Sequence, residues 1–305
     1  MTTSACKSID DVHKQAIKEG MVTVTGGKIW YRIAGADKTG IPLIVLHGGP
    51  GVPHHYLVNL EALADERPVI FYDQLGCGNS ERPSDTNLWT IQRFTDELEQ
   101  LRIALKLDEF HLLGQSWGGY LATSYFIEYG TGKVKSLILS APLISSARWL
   151  SDQRAWIEQL PQAVQDTISK YETNGDYASP SYLEAMNIFY QKHLCRLDPW
   201  PEPLNLAFQE MSTEVYTYMW GPSEFTVTGV LKDADLTAQL HNINIPCLFT
   251  CGEFDEATPA SMAYFQNLIP KAELQVFEDA SHAHHLEKPV EYIACLRNFL
   301  KRIKQ

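Results

Sequence analysis

The chain has 305 residues, 45% of them apolar and 20% charged, with a net charge of -12. That is enough chain to bury a substantial core in one large α/β domain, or in one domain with an insertion, without a disulfide framework. Lysine and arginine form no run, so the basic footprint of a nucleic-acid partner is missing.

The six cysteines (Cys6, Cys77, Cys195, Cys247, Cys251 and Cys295) are scattered, with no C-x-x-C pair. Cys247 and Cys251 fall in one expected strand, about 13 Å apart, beyond the roughly 7 Å that a disulfide allows. They read as free thiols of a reducing compartment. Residues 1–20 read as a polar leader of mixed charge, partly helical, without the apolar stretch of a signal peptide. No run of about 18 apolar residues suggests a membrane span, and the expected location is the cytoplasm.

In chain order, residues 21–33 alternate and break at Gly26-Gly27, as a two-strand hairpin would. Leu43–Leu46 and Val69–Tyr72 are short, continuously apolar runs, which suit strands buried on both faces of a parallel sheet. The first ends in the glycine-rich loop HGGPG, the second in DQLGCG. Residues 90–105 carry Ile91, Phe94, Leu98, Leu101 and Leu105, the spacing of an amphipathic helix. An apolar strand from Phe110, a helix over 117–129 and a strand over 134–139 follow. From 143 to 231 the rhythm stops, and several helices with proline-marked breaks are expected. It resumes with strands at 247–251 and 274–277, a helix near 260–268 and a last helix over 289–303. Strands alternating with helices predict an α/β fold with a mostly parallel sheet. Residues 1–142 and 232–305 are expected to form its core, and 143–231 a helical cap.

Chemistry concentrates at Gly114-x-Ser116-x-Gly118, between an apolar strand and a helix. This is the pattern of a nucleophile elbow, where a sharp turn presents one hydroxyl. A chance G-x-S-x-G in a loop is the rival reading. A serine nucleophile needs a base, and the base an orienting acid. In the α/β-hydrolase order these follow the serine as acid, then histidine. Asp255 lies just past the strand at 247–251, and His282 just past that at 274–277. Parallel strands bring all three to one edge of the sheet. Asp255 could instead cap the helix that starts at Pro259. His284 and His285 are rivals of His282, and weak metal binding by the cluster is a further reading, but no acidic or cysteine ligand accompanies them at a zinc spacing. No metal or cofactor is expected. Two backbone donors would complete an oxyanion hole: the N–H of Trp117, directly after the nucleophile, and one from the loop 47–51. His47 reads as a packed or hydrogen-bonded loop residue, and Cys77 as a buried thiol with no histidine paired to it by motif.

HGGPG at 47–51, DQLGCGNS at 73–80, GQSWGG at 114–119, MWGPSEF at 219–225, GEFDEATP at 252–259 and SHAHHLEKP at 281–289 run in this order through nearly the whole chain. Together they resemble the proline iminopeptidase family, serine peptidases of the α/β-hydrolase fold that remove an N-terminal residue, preferentially proline. The resemblance implies Ser116 as nucleophile, His282 as base, Asp255 as orienting acid, and Gly49 and Trp117 as oxyanion donors. It implies that Glu224 and Glu256 bind the free α-amino group of a short peptide or small-molecule substrate, with Gly48 and Trp220 also in the substrate site. Trp149, Tyr216 and Phe225 are further candidates for an aromatic pocket, though insertion core is the commoner fate of such residues. L-amino-acid amidases share these blocks. An amidase or a specialised small-molecule amide, ester or lactone hydrolase is therefore the first alternative, and a non-catalytic ligand receptor on the same fold the second.

Overall fold

A computed structural model of the chain describes residues 16–303. It opens on β1 (Ile17–Val24) and β2 (Gly27–Ala34), which pair antiparallel around a turn where Gly26 has φ 97°. The expected hairpin is present, but it begins at Ile17 rather than at residue 21, so part of the polar leader is strand. The reason is position: β1 is an edge strand, where charged side chains are tolerated. There Glu19 pairs with Arg32 at 2.6 Å. Residues 1–15 of the leader lie outside the described residues.

The remaining strands are β3 (Leu43–Leu46), β4 (Val69–Tyr72), β5 (Phe110–Gln115), β6 (Val134–Ser140), β7 (Cys247–Gly252) and β8 (Ala272–Phe277). They join the hairpin in an 8-stranded sheet of order β1-β2-β4-β3-β5-β6-β7-β8. β1, β2 and β4 pair antiparallel, and every pairing from β4 to β8 is parallel.

The helices are α1 (Ile91–Leu105), α2 (Trp117–Tyr125), α3 (Ser146–Ile157), α4 (Gln162–Asn174), α5 (Pro180–His193), α6 (Glu202–Gln209), α7 (Thr213–Met219), α8 (Pro259–Gln266), α9 (His284–Glu287) and α10 (Pro289–Lys301). α1 starts at a Thr90 N-cap whose hydroxyl accepts from the Arg93 N–H, and it stops where Lys106 turns left-handed. α2 runs on into a π-helical turn, Phe126–Gly130. The segment His54–Leu63 and the short α9 carry little periodicity, and sequence reading passes over both.

Alternation within the strands divides the core. Ile44, Leu46, Ile70, Leu112, Leu137 and Phe249 point to one face, packed against Phe94, Leu98, Leu121 and Phe265 of α1, α2 and α8. Leu43, Val45, Phe71, Leu113, Ile138 and Leu248 point to the other, against Leu57, Leu60, Tyr292, Leu296 and Phe299. Each such side chain contributes about 1.5–3 kcal/mol on burial, which fixes the register, because a one-residue slip would exchange the two faces.

Helices α3 to α7 occupy the interval between β6 and β7. They hold a small cluster of their own around Ile157, Tyr182, Phe189 and Phe225. They are tied to the carboxyl edge of the sheet: Ser212 N–H donates to Gly51 O at 2.9 Å, and His282 N–H to His193 O at 3.0 Å. Among the described residues no helix is long and apolar enough to cross a membrane. Cys77, Cys195, Cys247, Cys251 and Cys295 are free thiols, and Cys6 lies outside the described residues.

Candidate active site

β5 ends at Gln115 and α2 begins at Trp117, leaving Ser116 alone at the turn with φ 56° and ψ -123°. A non-glycine residue held at positive φ costs roughly 1–3 kcal/mol, so the surroundings must over-determine it. They do. Ser116 N–H donates to Ser140 O at 3.0 Å, and its carbonyl accepts from Gly119 and Leu143 at 2.9 and 3.0 Å. The glycines of the motif make the close approach possible. A Cβ on Gly114 would lie 2.0 Å from Gly118 O, and one on Gly118 would lie 2.3 Å from Leu46 O.

Asp255 and His282 lie on the loops after β7 and β8. His282 Nδ1 lies 2.8 Å from Asp255 Oδ1. The Asp255 carboxylate also accepts from Gly252 N–H at 3.1 Å and Ala257 N–H at 2.8 Å, so it is aimed before the histidine reaches it. Asp255 does not cap α8; Thr258 does. Trp156 Nε1 donates to Asp255 O at 2.9 Å, tying α3 to the acid loop. His284 and His285 prove to be buried with their Nε2 atoms bonded to other partners, although His285 also lines the Ser116 cavity and His284 Nδ1 lies 3.7 Å from Asp255 Oδ2. His284 Nε2 sits between Thr250 and Ser140 at 2.9 and 3.1 Å, and His285 Nε2 meets Tyr56 O at 3.1 Å. Among the described residues no group of three or more His, Cys, Asp or Glu is placed to hold a metal.

The loop 47–51 lies directly against the nucleophile, since a Cβ on Gly48 would stand 3.0 Å from Ser116 Cβ. Gly48 N–H is taken by Tyr56 OH at 2.7 Å, and Gly48 does not line the cavity, whereas Gly49 and Trp117 do. Trp117 N–H opens a helix, so no carbonyl within that helix can accept from it. Gln74 joins the two glycine loops. Its backbone N–H donates to His47 Nε2 at 2.9 Å, and its side-chain oxygen accepts from Trp117 Nε1 at 2.9 Å. His47 is thus a structural hinge of this loop. It also lies 3.5 Å from Cys77 Sγ, a pairing with no sequence signal. Burial raises that thiol well above its usual range, so it is not a competent nucleophile.

Ser116 opens into a cavity of about 270 Å³ walled by Trp149, Tyr216 and Trp220 as well as Glu224, Glu256 and His282. Phe225 belongs to the cluster inside α3–α7 instead. Glu224 accepts from Tyr216 OH at 2.7 Å, Gln153 Nε2 at 2.9 Å and Trp149 Nε1 at 3.2 Å. Glu256 is 2% exposed, and its Oε1 lies 3.5 Å from His282 Nε2. Gln153 bridges the two carboxylates, reaching Glu256 Oε2 at 3.4 Å. Burial pushes Glu256 well above the usual carboxylate range, and repulsion from Glu224 adds to it. Burial alone would lower the His282 pKa, but Glu256, Asp255 and Glu224 outweigh it and raise the imidazole to about 9. Both shifts have one physical content: this corner of the cavity retains positive charge or protons to offset its carboxylates.

Among the described residues Ser116 Oγ makes no hydrogen bond. His282 Nε2 is met instead by Gln115 Nε2 at 2.9 Å. Gln115, Tyr56, Gln153 and Trp156 went unnoticed in the sequence. Only Gln115 carried a signal, as the variable position inside the elbow motif.

A family model described as the alpha/beta hydrolase fold matches residues 41–289. A proline iminopeptidase of Heyndrickxia coagulans is 46% identical over 286 residues, 93% of this chain and 99% of that one. Among solved structures, VinJ superposes with a TM-score of 0.90 at 35% identity, covering 94% of this chain and 99% of that one. A proline iminopeptidase of Mycobacterium smegmatis superposes with a TM-score of 0.87 at 36% identity, covering 93% and 98%. With the elbow, the acid–histidine pair and the carboxylate-lined cavity in one chain, this protein belongs to the proline iminopeptidase family of the α/β-hydrolase fold.

Proposed function

We propose that the protein is a serine aminopeptidase that releases an N-terminal residue, preferentially proline, from short peptides. One observation carries the reading: two carboxylates, Glu224 and Glu256, share the cavity of Ser116 and lie beside its base. An ammonium held between them by charge-assisted hydrogen bonds would place the carbonyl of that same residue at the nucleophile. Trp149 and Trp220, edge to face at 6.4 Å, offer an apolar wall for the ring or side chain. Gly48, with its N–H given to Tyr56, is left out of this substrate set.

In the proposed sequence His282 Nε2 takes the proton of Ser116 as Oγ bonds to the carbonyl carbon. Asp255 holds the imidazole through Nδ1, and the Gly49 and Trp117 N–H groups receive the oxyanion. His282 then gives its proton to the departing amine as the C–N bond breaks. Water, deprotonated by the same nitrogen, releases the residue and restores Ser116. We read residues 143–231 as a cap that closes over this site and limits the substrate's length, and the cytoplasm as its place of action. Fluorophosphonate labelling tests the nucleophile: the wild type is modified at Ser116 and Ser116→Ala is not. Labelling elsewhere, or its persistence in Ser116→Ala, would refute the assignment.

A further inference from the structure

The proton-accepting nitrogen of His282 is occupied by a group that the mechanism above does not use. Gln115 Nε2 lies 2.9 Å from it. Gln115 Oε1 accepts from Tyr56 OH at 2.7 Å, and Tyr56 OH accepts from Gly48 N–H at 2.7 Å. Gln115 is 3% exposed and Tyr56 is 5% exposed, so both are largely withdrawn from bulk water.

This chain of bonds has a direction. A backbone N–H can only donate, so Gly48 fixes the Tyr56 oxygen as acceptor. The one hydroxyl proton then goes to Gln115 Oε1. The amide nitrogen of Gln115 is left facing His282, and an N–H can pair only with an unprotonated Nε2. The reverse orientation would give Tyr56 two donors and leave its own proton with no protein acceptor, which costs about 1–3 kcal/mol for a buried group.

We propose that Gln115 is a positioning residue for the base: oriented by Tyr56 and Gly48, its amide N–H holds His282 Nε2 as a hydrogen-bond acceptor. The need for such a group is visible around the ring. Asp255 and Glu256 face it from the loop after β7, and Glu224 from the chain after α7. His284 and His285 lie on its own segment, and the ring of Trp149 stands edge-on at 5.6 Å from α3. The three carboxylates favour the imidazolium, which cannot accept the serine proton. A hydrogen bond donated to the neutral ring opposes them. Since Nε2 has one lone pair, the Gln115 N–H keeps the place that the Ser116 hydroxyl takes when substrate arrives. The same tyrosine anchors the loop that carries Gly49, so base and oxyanion loop are positioned together.

The inference rests on His282 being the base of Ser116, and its test does not depend on which peptide is cleaved. The full chain, labelled with carbon-13 at histidine Cε1, is titrated by NMR, with His282 assigned through His282→Asn. Gln115→Met removes the donor at similar volume. Tyr56→Phe removes one oxygen and frees the amide to turn its carbonyl to the imidazolium. Both variants are expected to raise the His282 pKa by about one unit. The acid limb of fluorophosphonate labelling at Ser116 should move with it, a roughly tenfold loss of labelling rate on that limb. Tyr56→Phe carries the test if Gln115→Met does not fold. An unchanged or lowered His282 pKa in a folded variant overturns the proposal, even where activity falls.

Discussion

In the proposed mechanism the chemistry at Ser116 depends on charge placed on a neighbour. On that reading Glu256, 3.5 Å from His282 Nε2, is the carboxylate that stands between amine recognition and the base. An arriving ammonium would neutralise Glu256 and Glu224, remove part of what holds the imidazole at about 9, and so bring the base into its accepting form. Substrate binding and base activation are then one event. Glu256→Gln separates them. Loss of one charge-assisted bond to the amine, worth about 1.5–3 kcal/mol, should raise KM for a free-amine substrate by tenfold or more. The His282 pKa should fall in the same variant, because its largest anionic neighbour is gone. A raised KM with an unmoved acid limb would show that Glu256 binds substrate without tuning the base.

Two kinds of element frame the site, and they differ in how far the sequence reveals them. Ser116, Asp255 and His282 each follow a strand of the parallel sheet, and strands show themselves by apolar runs. Their convergence at one edge follows from topology, so spacing after the strands makes them candidates, while the roles given to them come from the family resemblance. Gly114 and Gly118 are as strictly required, because a Cβ on either would overlap a backbone carbonyl at 2.0 and 2.3 Å. The helices α3 to α7 behave differently. Trp156 on α3 reaches Asp255 O, and Gln153 one turn earlier bridges Glu224 and Glu256. The end of α5 accepts the His282 and Ala283 N–H groups at 3.0 and 2.8 Å. Nothing in the local pattern of these helices announces such roles, since they depend on how the helices lie over the sheet. The same limit hid the His47–Cys77 contact and the Tyr56–Gln115 bond. It also hid the start of β1, where an edge strand needs no apolar alternation.

Over the whole molecule, histidine burial sets the expected response to acid. Burial lowers His47 and His193 to about 4 and His111 and His285 to about 3, and holds His284 well below its usual value. The unfolded chain binds these protons near pH 6.5 and the folded chain does not. Stability from these groups is therefore complete above about pH 6.5 and is lost as pH falls toward 4. His282 runs the other way: its contribution is present below about pH 6.5 and is lost as pH rises through about 9. Thermal unfolding should show Tm highest near neutrality and falling steeply between pH 6.5 and 4, and a Tm constant over that interval would contradict the buried neutral histidines. The fold thus carries neutral histidines in its core and one charge-surrounded histidine at the carboxyl edge of its sheet.

In the proposed function the Ser116 site acts on the residue bearing a free α-amino group. A direct measurement is kcat/KM for a prolyl arylamide against its N-acetyl counterpart under identical conditions. Acetylation removes the ammonium that Glu224 and Glu256 hold in the proposed complex, so the free amine should be preferred by a hundredfold or more, about 2.7 kcal/mol. Equal rates on the two substrates would contradict the claim and leave a general amide or ester hydrolase.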